Sequence, residues 1–124
     1  MEDRADFVVL GYPVVSMQSA THRASQLNLL GEDASDALRA ATSLDVLVDR
    51  QAPPSFVWHS VGDTIVPVDH AYLLGAALAR HHVPHELHLF EDGDHALGLA
   101  RGAGNVEQWT ELCLRWLRAH GWAP

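Results

Sequence analysis

Three strand-like runs, each bounded by proline or glycine and spaced by helix-length intervals, constrain this chain more than anything else in it. Phe7-Val8-Val9-Leu10 is a short continuous apolar run that stops at Gly11-Tyr12-Pro13. Such a run reads as a strand buried on both faces. Pro53-Pro54 blocks helix and opens a second strand, Ser55 to His59. Val83-Pro84 opens a third, Glu86 to Phe90. Between the last two lies a helical stripe of Ala71, Leu74, Ala77 and Leu78, with Pro67 suited to its first turn. Strand, helix and strand with crossovers of this length imply parallel pairing in an α/β layer fold.

The remaining segments fit that frame. Trp109, Leu112, Cys113, Trp116 and Leu117 recur on one broad helical face. Asn105 is the expected cap of that helix, and Gly121 lies just past its end. Residues 16–48 form a polar excursion with short helical pieces. Ser35 is the expected N-cap of 36–41, and 45–48 a helical turn. The excursion is either a lid over a pocket or a plain surface segment.

Composition narrows the function. The chain has 124 residues, enough for a single domain or part of one. Its net charge is −8 and all its basic residues are arginine, which argues against nucleic acid and anionic membrane as partners. No apolar run approaches the roughly 20 residues of a membrane-spanning helix, and no signal peptide is visible. The lone Cys113 fits a reducing compartment, so a cytoplasmic location is expected. No Gly-rich phosphate loop suggests a cofactor.

Two residues carry the chemistry. Asp63 follows the second strand in Gly62-Asp63-Thr64-Ile65-Val66-Pro67. His95 follows the third in Gly93-Asp94-His95-Ala96-Leu97-Gly98-Leu99. In an open parallel sheet, sites form outside the carboxyl ends of strands. Asp63 and His95 are therefore expected to meet, with the carboxylate accepting the imidazole Nδ1–H. That bond would fix the tautomer and stabilise an imidazolium formed at Nε2. Other groupings carry less. His81, His82, His85 and His88 are broken up by Pro84, and His85 and His88 differ in strand parity, so no metal site is expected. Asp92 and Asp94 flank Gly93 and read as turn residues rather than paired acids. Trp109 and Trp116 read as core anchors.

Four segments in register resemble the C-terminal half of α/β-hydrolase-fold esterases, in their acetyl-esterase and acetylxylan-esterase-like branch. They are Phe56-Val57-Trp58-His59, Asp63-Thr64-Ile65-Val66-Pro67, Glu86-Leu87-His88-Leu89-Phe90 and Gly93 to Leu99. Gly11-Tyr12-Pro13-Val14-Val15 and Asn28-Leu29-Leu30-Gly31 are similar to the same branch. The resemblance implies a partial α/β-hydrolase fold: three parallel strands, flanking helices, and the excursion at about 16–48. It also implies a serine-type hydrolase of small carboxylic esters, acetylated sugars among them, with Asp63 orienting His95 as general base. The family pattern has Gly after the histidine; here Ala96 stands there.

The chain order Ser…Asp…His requires a G-x-S-x-G elbow upstream, and none is present. Seven serines occur, none in an elbow; Ser60, closest to Asp63, lacks the flanking glycines. Residues 1–124 are therefore expected to be one C-terminal part of a hydrolase domain, inactive alone. Three functions stay open: a hydrolase part that needs a complementing half, a non-catalytic remnant or interaction module on the same fold, and a flavodoxin-like ligand-binding domain. The apolar strand at Phe7 to Leu10 would leave an open edge, so self-association or a complementing N-terminal half is expected as partner, beside a small ester substrate.

Overall fold

The computed structural model describes residues 3–18 and 21–124. Three parallel strands, β1 (Val8–Gly11), β2 (Ser55–Ser60) and β3 (His85–Phe90), form one sheet in the order β1-β2-β3. Val9 pairs with Phe56, and Phe56 with Glu86, which aligns the carboxyl ends of all three strands. Five α-helices occur among the described residues: α1 (Arg23–Leu30), α2 (Asp36–Ala41), α3 (Leu44–Leu47), α4 (Asp69–Arg80) and α5 (Trp109–Ala119).

Side-chain alternation along β2 divides the core between two faces. Phe56 and Trp58 meet Trp116, Cys113 and Val106 on the α5 side. Val57 meets Leu74, Leu78 and Val83 on the α4 side. β2 is buried at every position, as the central strand of a two-sided sheet must be. Phe56 and Trp58 are almost wholly enclosed. Truncating either to alanine would cost about 3–5 kcal/mol, since the cavity left cannot fully collapse.

Local signals account for most boundaries. Ser35 caps α2 through its hydroxyl, which accepts from Leu38 N–H at 3.1 Å. Gly121, at φ 77°, ends α5 with paired bonds from Gly121 N to Arg118 O and Trp122 N to Leu117 O. Those are the two bonds of a Schellman motif. The entrance to α5 differs from expectation. Asn105 begins a 3-10 turn, Asn105–Gln108, that runs into the helix. The capping group is Asp92, whose carboxylate accepts the N–H groups of Asn105 at 2.6 Å and Val106 at 3.0 Å. A long-range cap of this kind leaves no local signature. Asp92 is thus a capping group, more than the plain turn residue its setting suggested.

The excursion at 16–48 holds α1, α2 and α3, and α3 packs on α4. His70, buried on α4, accepts the N–H groups of Val15 and Ser16 at its Nδ1, at 2.8 and 3.2 Å. It pins the segment after β1 to the helix behind the sheet.

β1 lies at an edge of the sheet. Val8 N–H bonds Pro54 O and Tyr12 N–H bonds Trp58 O, both toward β2. By alternation, the N–H and C=O groups of Val9 and Gly11 point away from β2. Among the described residues no strand pairs with that side. Hollows flank β1 on both faces. One, of about 350 Å³, is lined by Val9, Gly11, Tyr12, Trp58 and Trp109. The other, of about 230 Å³, is walled by Val8, Leu10, Leu44, Val48 and Leu74. Among the described residues, no helix is long and apolar enough to cross a membrane.

Candidate active site

Asp63 and His95 meet at the carboxyl ends of β2 and β3. Aspartate Oδ2 accepts from imidazole Nδ1 at 2.8 Å. The Asp63 side chain is fully buried, while that of His95 is 22% exposed. With Nδ1–H donated to the carboxylate, the neutral ring keeps its lone pair on Nε2. That is the atom a general base needs.

The turn after β2 is built around the same carboxylate. Oδ1 accepts Ile65 N–H at 2.9 Å and Val66 N–H at 2.8 Å. Burial alone would raise the Asp63 pKa, but the bonds from His95, Val66 and Ile65 outweigh it and hold the group below the ordinary carboxylate value. Asp63 is therefore an anion throughout the neutral range.

The His95 loop is fastened by its neighbour. Asp94 Oδ1 accepts Thr64 N–H, Thr64 Oγ1–H and His95 N–H, at 2.8, 2.9 and 2.8 Å. The backbone bond from Thr64 leads the contacts that lower the Asp94 pKa. Asp94 is neither one of two paired acids nor a mere turn former; it joins the two site loops. Ala96 sits at φ 59°, in the left-handed region. That conformation explains why glycine suits this position.

Two residues that motif reading passed over touch the site. Tyr12 directly follows β1 at φ 42°, an uncommon backbone for a bulky residue. Its ring packs edge-on against His95, centroids 4.8 Å apart, and against Trp58 at 5.1 Å. His59, buried on β2, brings Nε2 to 3.1 Å from Asp63 Oδ2 and 2.9 Å from Val66 O. The only sequence signal for it is a histidine four residues before Asp63 in the strand that leads to it.

Ser60 is not placed for chemistry. It is buried, and its Oγ has no hydrogen-bond partner among the described residues. The imidazoles of the His81–His88 run do not converge: His85 Nδ1 pairs with Val83 O and His88 with Glu86. Among the described residues no cluster of metal-ligating side chains occurs. Trp109 and Trp116 both pack in the α5-side core. Trp109 also stacks on Trp58 and walls the larger hollow, so it serves the core and a cavity at once.

Residues 6–121 match the prolyl oligopeptidase family of peptidases. The chain belongs to that family. Its structure resembles that of an acetyl ester-xyloside bifunctional hydrolase from Caldicellulosiruptor lactoaceticus, with TM-score 0.95 and 40% identity. That match covers 98% of this chain and 44% of the other. A carboxylesterase from Lactobacillus plantarum aligns with TM-score 0.81 and 27% identity, over 99% of this chain and 47% of the other. An endo-1,4-β-xylanase B from Butyrivibrio fibrisolvens is 36% identical over 97 residues, which are 78% of this chain but 15% of the xylanase. The chain thus spans less than half the length of these relatives. Its three-stranded parallel sheet with flanking helices is part of an α/β-hydrolase fold.

Proposed function

We propose that this chain supplies the base and its orienting acid to a serine-type hydrolase of small carboxylic esters, acetylated sugars among them. The observation that carries the proposal is the 2.8 Å bond between Asp63 Oδ2 and His95 Nδ1 at the carboxyl end of a parallel sheet. The ester hydrolases among the relatives support the reaction class. The nucleophile and oxyanion hole would come from residues outside this chain, in an N-terminal half that adds its strand to the free edge at Val9 and Gly11.

In this reading His95 Nε2 takes the proton of the attacking serine hydroxyl as its oxygen bonds the acyl carbon. The ring becomes an imidazolium, stabilised by the Asp63 anion. His95 then gives that proton to the leaving alcohol as the ester C–O bond breaks. A water molecule, deprotonated by the same Nε2, attacks the acyl-serine; as the acyl–oxygen bond breaks, the imidazolium returns its proton to the serine oxygen and the acid leaves. Tyr12, packed edge-on against the imidazole, would stand beside the ester.

The test is complementation. The chain is mixed with the N-terminal part of an acetyl-esterase relative, and p-nitrophenyl acetate hydrolysis is followed. The expected result is turnover in the mixture, none with either part alone, and labelling of the relative's serine by a fluorophosphonate only in the mixture. Formation of a stable mixed complex without turnover would instead favour a non-catalytic interaction module.

A further inference from the structure

Four donors converge on Asp63, and one of them, His59, has no part in the proton path above. Oδ1 takes the N–H groups of Ile65 and Val66. Oδ2 takes His95 Nδ1–H and lies 3.1 Å from His59 Nε2. A carboxylate has about four lone-pair sites, so the set is complete.

The protonation of His59 follows from its surroundings. Its Nε2 faces two acceptors, Val66 O at 2.9 Å and Asp63 Oδ2. Nε2 must therefore carry the proton. Nδ1 is buried and meets no partner among the described residues. A second proton there would be an unpaired buried donor, which costs its full desolvation. Burial accordingly pushes the His59 pKa below the ordinary imidazole value.

We infer that His59 is the positioning residue of this site, a neutral Nε2–H donor that binds Asp63 Oδ2 and the Val66 carbonyl together and so aims the carboxylate at His95. The ring stands on the central strand, at 0% exposure, and cannot swing away. It thereby ties a loop carboxylate to the most rigid element of the fold. The catalytic consequence rests on the proposed hydrolase reading; the hydrogen-bond arrangement does not. Without the His59 donor, the carboxylate can rotate off the His95 Nδ1. His95 would then revert toward the Nε2–H tautomer, with a proton where the base needs a lone pair.

Ring-nitrogen NMR on the full chain, at a pH where both imidazoles are neutral, tests this without any ester turnover. Wild type is expected to show His59 as Nε2–H and His95 as Nδ1–H. His59→Gln places an amide donor where Nε2 stands, and should keep the His95 tautomer. His59→Asn places its amide near Nδ1, out of reach of Asp63, and should turn His95 from almost wholly Nδ1–H to mostly Nε2–H. The same His95 tautomer in both variants would overturn the inference. If His59→Asn does not fold, wild type and His59→Gln still decide. A proton on His59 Nδ1, or loss of the His95 Nδ1–H in the Gln variant, overturns it. A hydrolase reading that failed by complementation would leave these spectra unchanged, so the two failures are separable.

Discussion

The carboxylate of Asp94 holds the backbones of Thr64 and His95 together, accepting both N–H groups at 2.8 Å through one oxygen. The loops after β2 and β3 are thus joined twice, once through this bridge and once through Asp63 and His95. The bridge fixes where His95 begins and the second bond fixes where its ring points.

Asp94→Ala should separate the two loops while leaving the sheet intact. The amides of Thr64 and His95 are expected to exchange much faster in the variant, with those of Phe56 to His59 unchanged. Equal protection of Thr64 and His95 in both proteins would mean that other contacts fix the loops.

Ala96 carries a left-handed backbone at φ 59°. That conformation costs a residue with a Cβ about 1–2 kcal/mol, partly offset by the larger unfolded-state entropy of glycine. Ala96→Gly is therefore expected to raise stability by up to about 1 kcal/mol in urea unfolding. A loss of stability would show that the Ala96 methyl makes contacts worth more than the strain.

The burial of neutral His59 has a pH signature. Its folded pKa lies below the unfolded value of about 6.5. Between the two, the unfolded chain binds more protons, so stability rises with pH. The penalty is absent above about 6.5 and grows as pH falls toward the folded value. Asp63, Val66 O, His95 and His70 are the groups that act on this ring, and Asp63 and the Val66 carbonyl partly oppose the shift. Wild type should lose stability relative to His59→Gln between about pH 6.5 and 5. A difference that stays constant over that range would place a charged His59 in the fold.

Hydrogen exchange can read the open edge of the sheet. Val8, Leu10 and Tyr12 amides point toward β2 and should be protected, while Val9 and Gly11 should exchange quickly. Addition of a complementing half, or self-association at high concentration, should slow Val9 and Gly11 alone. Strong protection of both in dilute, monomeric protein would mean that the edge is already covered.

Much of the architecture was legible because its signals are local. Pro54 and Pro84 lie just before β2 and β3, the Trp109 to Leu117 stripe marks α5, and Ser35 and Gly121 mark helix ends. The meeting of Asp63 and His95 was legible from topology, since both follow parallel strands that are neighbours. What escaped was non-local. Asp92 caps a helix from thirteen residues away, and nothing in the sequence near Asn105 indicates it. Asp94 looked like turn chemistry because its partner Thr64 lies thirty positions off. His59 looked like an ordinary strand residue because only the fold of the following turn brings Asp63 back onto it. α1 lacks a clear apolar stripe and was legible only as part of a polar excursion.

A graft tests whether His95 acts as the base of an assembled hydrolase site. The segment of the Caldicellulosiruptor hydrolase that matches this chain is replaced by residues 6–121, and kcat/KM for p-nitrophenyl acetate is compared with that of the same graft carrying His95→Ala. The expected result is an active graft and a loss on the order of a millionfold in the variant, as for removal of a triad base in a serine hydrolase. An active graft whose kcat/KM is unchanged by His95→Ala would contradict it.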